Sequence, residues 1–349
     1  MKKLLVSMIA IAAIMVSCSD DQPTSTNIPD EQQVDMSDFY LYTDNVEKAD
    51  GGCFSMQRLN AQLDKDPELY QRMYSIEERY RRQVMAKKPG NGNGNGNGGG
   101  GGGGDPVDPP GDGLGVVTIP VYVHVVYSNS NENISDAQIN SQMAVLNDDF
   151  RRTNNDANQT PSLFAPIAAD TEIQFSLAGT FRYANSRTSW GTNDLVKSTY
   201  PPVTPATHMN IWVCNIGGGI LGYAQFPGGN ASTDGIVVSP QYFGTTGYVA
   251  APFDGGRTTT HEVGHYLNLR HIWGDGRCNR DDFVSDTPKS DRPNYGCPSF
   301  PTTHCRSTDM TMNYMDYTND DCMNMFSEGQ KTRMRGVLVP GGARASLVN

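Results

Sequence analysis

"HEVGHYLNLRH", residues 261–271, is the stretch on which the reading of this chain turns. On a helix His261 and His265 stand at i and i+4, so both imidazoles leave the same face. Two neutral imidazoles so placed suit Zn2+ at about 2.0–2.1 Å. Glu262, beside the first histidine, is placed to act as general base on a metal-bound water. A catalytic zinc takes three protein ligands and keeps one position open, and His271 is the candidate third ligand. A helix running straight on would carry His271 away from the other two, so the chain must turn between them. The residue available for that turn is Asn268. Asparagine tolerates the left-handed conformation best after glycine and also serves as a helix C-cap. The expectation is a positive φ at Asn268 and a histidine folded back toward the metal.

With 349 residues, the chain has room for one large domain or two modest ones with extra segments. Its formal net charge of −11 is offset by no basic stripe, which excludes nucleic acid as a partner class. The N-terminus, "MKKLLVSMIAIAAIMVSCSDD", begins with a charged Lys2-Lys3 pair and continues as an apolar run from Leu4 to Val16. That run is too short to remain as a spanning helix. Its end at Ser17-Cys18 resembles a bacterial lipoprotein signal, residues 1–18, with Cys18 becoming the lipidated first residue. Ser19, Asp20 and Asp21 resemble the acidic surface-export tag of Bacteroidetes-type lipoproteins. The expected location is the outer membrane or cell surface, with a lipid as the sole membrane attachment and the main domain open to extracellular release. Cysteine usage agrees with export. Cys278, Cys297, Cys305 and Cys322 cluster near the C-terminus and read as two disulfides in an oxidising compartment, with three pairings open.

Composition divides the rest of the chain. Residues 19–50 are a polar tether. Residues 51–88 carry apolar side chains at helical spacing (Met56, Leu59, Leu63, then Leu69, Met73, Ile76, Tyr80), which predicts two amphipathic helices broken near Asp66-Pro67. Residues 89–114 form a Gly/Asn/Pro-rich linker unable to build a core. A helical unit joined by such a linker reads as a detachable pro-segment, to be cut between Arg79 and Gly115. The main domain, 115–349, opens with a strand at Val116–Tyr127. A helix follows over Ile139, Met143, Leu146 and Phe150, with a capping box predicted from Ser135 and Gln138. Strands are predicted at Glu172–Phe181, Met209–Ile216, Leu221–Phe226 and Gly235–Pro240, then the histidine helix, then a long irregular region holding the four cysteines. Cys214 lies in the apolar run "NIWVCNI" and reads as a buried free thiol.

The full His-Glu-x-x-His-x5-His string resembles the metzincin clan, whose second mark is a methionine turn under the metal. "MTMNYMDYT", Met310–Thr318, supplies it, with Met315 as the turn residue and Tyr317 as a hydroxyl donor to an oxyanion. Together with "IGGGILGYAQFPG", "DFVSDTP" and "NYMDYTNDDCMNMFSEGQKTRM", the histidine string resembles the pappalysin-like metzincins, cytophagalysin branch, over most of residues 115–335. The resemblance implies an α/β (α+β) fold: a twisted mixed sheet with backing and active-site helices above a cleft, over an irregular disulfide-stapled subdomain. It implies the pairs Cys278–Cys305 and Cys297–Cys322, and structural Ca2+ on Asp282 and Thr287 with Asp286 nearby. It places Asp320 at the floor of the S1′ pocket, favouring a basic P1′ residue. "DGGCFSMQRLNAQLDKDPEL" resembles the family's pro-segment, which makes Cys53 the thiol that blocks the zinc's fourth position. The chain is thus expected to be a latent zinc endopeptidase acting on proteins or peptides. A surface adhesin retaining a protease fold is the alternative, as is a zinc that only stiffens the fold; an intact Glu262 and an open metal position argue against both.

Overall fold

The computed structural model describes residues 34–43, 52–87 and 112–348. The signal with Cys18, most of the tether and the linker through residue 111 lie outside the described residues. The chain divides into a unit ending at Asp35, described only at Val34 and Asp35, and a second unit from Met36 onward. The first elements of the second unit are α1 (Ser55–Lys65) and α2 (Pro67–Lys87), split at Asp66 as the Asp-Pro pair predicts. Pro67, which has no N–H to give, begins the second helix.

Alternation in the β-branched runs builds a five-stranded sheet from β1 (Val117–Tyr127), β2 (Ile173–Ala184), β3 (Met209–Val213), β4 (Gly222–Ala224) and β5 (Ile236–Val238). The order is β2-β1-β3-β5-β4; every pairing is parallel except β4 against β5, which puts an antiparallel strand at one edge. Both faces are covered. Ile119, Val121, Val123, Ile211 and Ile236 point down onto Ile139, Leu146 and Phe150 of α3 (Asp136–Phe150) and Val263 of α5 (Arg257–Tyr266). Val126, Trp212, Tyr223 and Val237 point up, under the short α4 (Leu195–Thr199), in a second cluster that also buries Cys214 as a free thiol. Each such aliphatic side chain taken from water contributes about 1.5–3 kcal/mol.

The predicted capping box at α3 forms only by half. Ser135 accepts from the Gln138 N–H, but the Gln138 side-chain amide donates to the carbonyls of Pro240, Phe243 and Tyr248. Loop carbonyls between β5 and α5, brought close by the fold, take the amide from its local role.

Beyond α5 regular structure nearly stops, as the sequence suggests. The two-residue strands β6 (Tyr295–Gly296) and β9 (Tyr317–Thr318) pair with each other, as do β7 (Thr303–His304) and β8 (Ser307–Thr308). Disulfides Cys278–Cys305 and Cys297–Cys322 hold the region, in the pairing the resemblance implied. The chain then enters α6 (Glu328–Gly336) through a complete capping box of Ser327 and Gln330.

Candidate active site

Helix α5 delivers His261, Glu262 and His265 to the underside of the edge strand, then stops. Asn268 has φ 79°; its N–H donates to the His265 carbonyl at 3.0 Å, and the Leu269 N–H donates to the Gly264 carbonyl at 2.9 Å. Those two bonds form a Schellman stop with asparagine at the left-handed position. The turn brings His271 back: its Nε2 lies 3.1 Å from that of His265, which in turn lies 3.1 Å from that of His261.

The other ring nitrogens explain why these close approaches are not hydrogen bonds. His261 Nδ1 faces the Tyr314 carbonyl at 2.7 Å, His265 Nδ1 the Leu269 carbonyl at 2.8 Å, and His271 Nδ1 the Asp275 carboxylate at 2.5 Å. Each acceptor fixes the proton on Nδ1, so three Nε2 lone pairs converge with no proton between them. That donor set fits one soft-to-borderline cation and little else. Burial, with His271 adding to it, lowers His261 to about 3, and His265 is lowered for the same reasons, so both rings are neutral as ligands must be. The Cys53 thiol is buried with the three imidazoles and completes a four-donor cluster. Burial, with the Glu262 charge beside it, holds that thiol well above its ordinary range in the absence of a cation; a divalent ion reverses this.

Glu262 is fully buried, and burial pushes its carboxyl up to about 7 against opposing hydrogen bonds from Ser55 and Cys53. Ser55 was invisible to the sequence reading. Its hydroxyl donates to Glu262 Oε2 at 2.7 Å and accepts from the Ala224 N–H at 2.7 Å, so one side chain covers both the carboxylate and the edge of β4. Beside it the Phe54 N–H donates to the Gly222 carbonyl at 2.9 Å. The Tyr317 hydroxyl donates to the Cys53 carbonyl at 3.3 Å. Segment 52–55 therefore lies along the edge strand and across the histidines.

Met315 supports the floor. Its Sδ sits where a Cβ on Gly264 would fall, at 2.4 Å, which is why that helix position carries no side chain. Gly222 is small for a related reason: a Cβ there would lie 2.9 Å from Glu262 Cγ. Asp275 carries a single sequence signal, an acid four residues after the last histidine. Asp320 lies beside His261, Thr258, Gly52 and Cys53 at a cavity and accepts the Gly255 N–H at 2.8 Å. Asp282 is buried and accepts the Thr287 hydroxyl through both oxygens at 2.9 Å. Asp286 does not join them: its oxygens take the Ser327 hydroxyl and the Gly329 N–H at the start of α6.

A sheet whose edge strand overhangs a helix of two histidines and a glutamate, with a third histidine returned by a left-handed turn, defines a metzincin-type metallopeptidase. Residues 196–339 match the family model Peptidase M43, described as pregnancy-associated plasma protein-A. An extracellular metalloprotease of Arthroderma benhamiae is 33% identical over 219 residues, covering 59% of this chain and 74% of that protein. Extracellular metalloprotease 1 of Coccidioides posadasii is 34% identical over 209 residues, covering 58% and 68%. Among solved structures, mature mirolysin of Tannerella forsythia with a cleaved peptide matches at 47% identity and TM-score 0.65, over 67% of this chain and 96% of that one. A promirolysin mutant from the same organism matches at 39% and TM-score 0.72, over 85% and 97%. This chain belongs to the pappalysin family of zinc metalloproteases.

Proposed function

We propose that the protein is exported as a latent precursor and becomes an endopeptidase when residues 51–88 are removed. The observation that carries this reading is the convergence of three Nε2 lone pairs with Cys53 on one side and Glu262, covered by Ser55, on the other. His261, His265 and His271 would hold zinc, and Cys53 the position a substrate needs. When bound there, zinc supplies Lewis acidity that acidifies water and polarises a peptide carbonyl.

The chain's own residues do the rest. Glu262, freed from Ser55, takes the proton of the attacking water and delivers it to the leaving amine nitrogen. Tyr317 donates to the carbonyl oxygen as charge gathers on it, in the manner of its present bond to the Cys53 carbonyl. The Gly222 carbonyl and the Ala224 N–H, engaged now by Phe54 and Ser55, offer the backbone pairing that aligns a peptide. Met315 packs beneath α5 as the methionine turn. Asp320 at the cavity floor would select a basic P1′ side chain. Calcium is proposed on Asp282 and Thr287. Relatives named as extracellular support export, and anchoring through Cys18 is our proposal; among the described residues no helix is long and apolar enough to cross a membrane.

The test uses the full chain, wild type and Glu262→Ala, before and after limited cutting between residues 79 and 115. Both should bind zinc, and Glu262→Ala should lose about 10^2–10^4-fold in kcat on peptides. Bound zinc with no Glu262-dependent cleavage by the cut wild type would sink the enzyme reading. In the uncut chain, Cys53→Ala should raise activity partially and Cys53→Ala with Ser55→Ala further. A double variant as silent as wild type would reject latency through this segment.

A further inference from the structure

One buried charge cluster above the sheet takes no part in the chemistry described so far. Arg58, one turn beyond Ser55 on α1, pairs through Nη2 with Asp194 Oδ2; the two side chains are 10% and 4% exposed. Asp194 stands in a left-handed conformation (φ 63°) just before α4. Its other oxygen lies 3.3 Å from Lys197, whose fully enclosed ammonium also donates to the Thr233 and Gly235 carbonyls at 2.9 and 3.0 Å. Lys197 is thereby satisfied, and Asp194 Oδ2 is the atom left for Arg58. In the same upper cluster the Tyr223 hydroxyl is buried with no hydrogen-bond partner among the described residues.

The location follows from strand alternation. On β4, Ala224 packs with the lower cluster, and Gly222 abuts Glu262; Tyr223 between them points to the upper face. Along segment 52–58, Gly52 and Cys53 border the Asp320 cavity, Ser55 reaches Glu262, and Arg58 reaches Asp194. Segment 52–58 thus meets the Asp320 cavity first, then Glu262, then Asp194. Phe54, whose carbonyl accepts the Arg58 N–H at 3.0 Å, packs against the same upper cluster.

We infer that Asp194 and Tyr223 form an acidic subsite beside the cleft, filled by Arg58 in the precursor and by a basic side chain of the bound peptide once the segment has gone. The inference rests on the reading of residues 51–88 as a removable inhibitory segment. With Asp320 on the side after the scissile bond, the Asp194 subsite takes a residue before it. Its occupant is a guanidinium or ammonium group on a long flexible stem, because the carboxylate lies deep and only Arg or Lys reaches it while keeping the stem on apolar wall.

Two measurements on the full chain after processing test this. The first is inhibition by a synthetic peptide of residues 52–65 and its Arg58→Ala form. The Arg58→Ala peptide should inhibit wild type about tenfold less well, a buried charged hydrogen bond having been lost. Asp194→Asn should show nearly equal inhibition by the two peptides; asparagine keeps the left-handed backbone and the shape. Equal inhibition of wild type by both peptides overturns the inference. The second is a cleavage profile on a mixed peptide library. Wild type should enrich Arg or Lys at one position before the scissile bond, and Asp194→Asn should lose that enrichment. The same enrichment in both, or none in wild type, also overturns it. A processed wild type that cleaves nothing speaks instead against the protease reading itself.

Discussion

Asp320 shows how one residue's environment fixes a pH dependence in advance. Its Oδ2 accepts backbone N–H groups of Gly255 at 2.8 Å and Arg257 at 3.2 Å, and it is almost fully buried. Burial pushes its carboxyl up to about 7 despite those two donors and the nearby Arg257 charge. Below that value the group is neutral, and above it the group is an anion, so the proposed charge pairing with a basic P1′ residue should strengthen as pH rises. The expected result is a kcat/KM ratio, Arg over norleucine at P1′, that climbs by about tenfold between roughly pH 6 and pH 8 and then levels. Taking the ratio cancels the titration of Glu262 and of the metal site. Asp320→Asn should give a low ratio with no slope. A sloping ratio in Asp320→Asn, or a flat one in wild type, removes Asp320 as the selecting group. At this scale the sequence exposed residues whose role depends on near neighbours, such as the three histidines and Glu262. It hid the contacts of Ser55 with Glu262 and of Asp194 with Arg58, each of which spans more than a hundred positions in the chain.

At the scale of the element, the stop of α5 was legible because its chemistry is local. Asparagine in place of glycine allows the left-handed turn, and φ 79° at Asn268 is the outcome. Gln138 marks the opposite case. Ser-x-x-Gln spells a capping box, yet three loop carbonyls from distant sequence claim the amide. The turn at Asn268 places two of the three histidines at once, since the next residue's carbonyl fixes His265 while the turn itself returns His271. Asn268→Ala should therefore cost about 1–2 kcal/mol of stability, the strain of a left-handed alanine. It should also weaken zinc binding, whereas Asn268→Gly should hold both at or above wild type. Thermal unfolding and zinc competition by a chelator measure the two effects. Zinc affinity equal in all three proteins would show that the metal can close the turn unaided by residue preference.

At the scale of the whole molecule, strand positions were legible from β-branched runs. The sheet order β2-β1-β3-β5-β4 was not, because pairing across long connections leaves no periodic trace. Nor did the helical spacing of residues 55–85 say where those helices would dock. The structure gives α2 one deeply buried charge as its main polar anchor: Glu77 Oε2 meets Arg333 of α6 at 2.7 Å, with side chains 2% and 3% exposed. Glu77 also takes Arg81 at 2.8 Å, while Arg333 holds the Asn268 carbonyl at 2.8 Å through Nε. The same arginine thus joins α2 to the turn that sets His271. Glu77→Ala leaves Arg333 buried without its anion, a defect costing about 3–5 kcal/mol if the helix stays in place. Undocking α2 relieves that cost by letting water reach the guanidinium, and α1 is joined to α2 through Asp66 alone. The expected outcome is faster tryptic cutting within α2 and a higher basal peptidase rate in the uncut chain. Glu77→Gln, which keeps an acceptor and the shape, should fall between. Because the Asn268 carbonyl keeps its own bond to Arg333, zinc content should stay at the wild-type level in both variants. A Glu77→Ala precursor as protease-resistant and as silent as wild type would mean that the Glu77–Arg333 pair is not needed to hold the site closed.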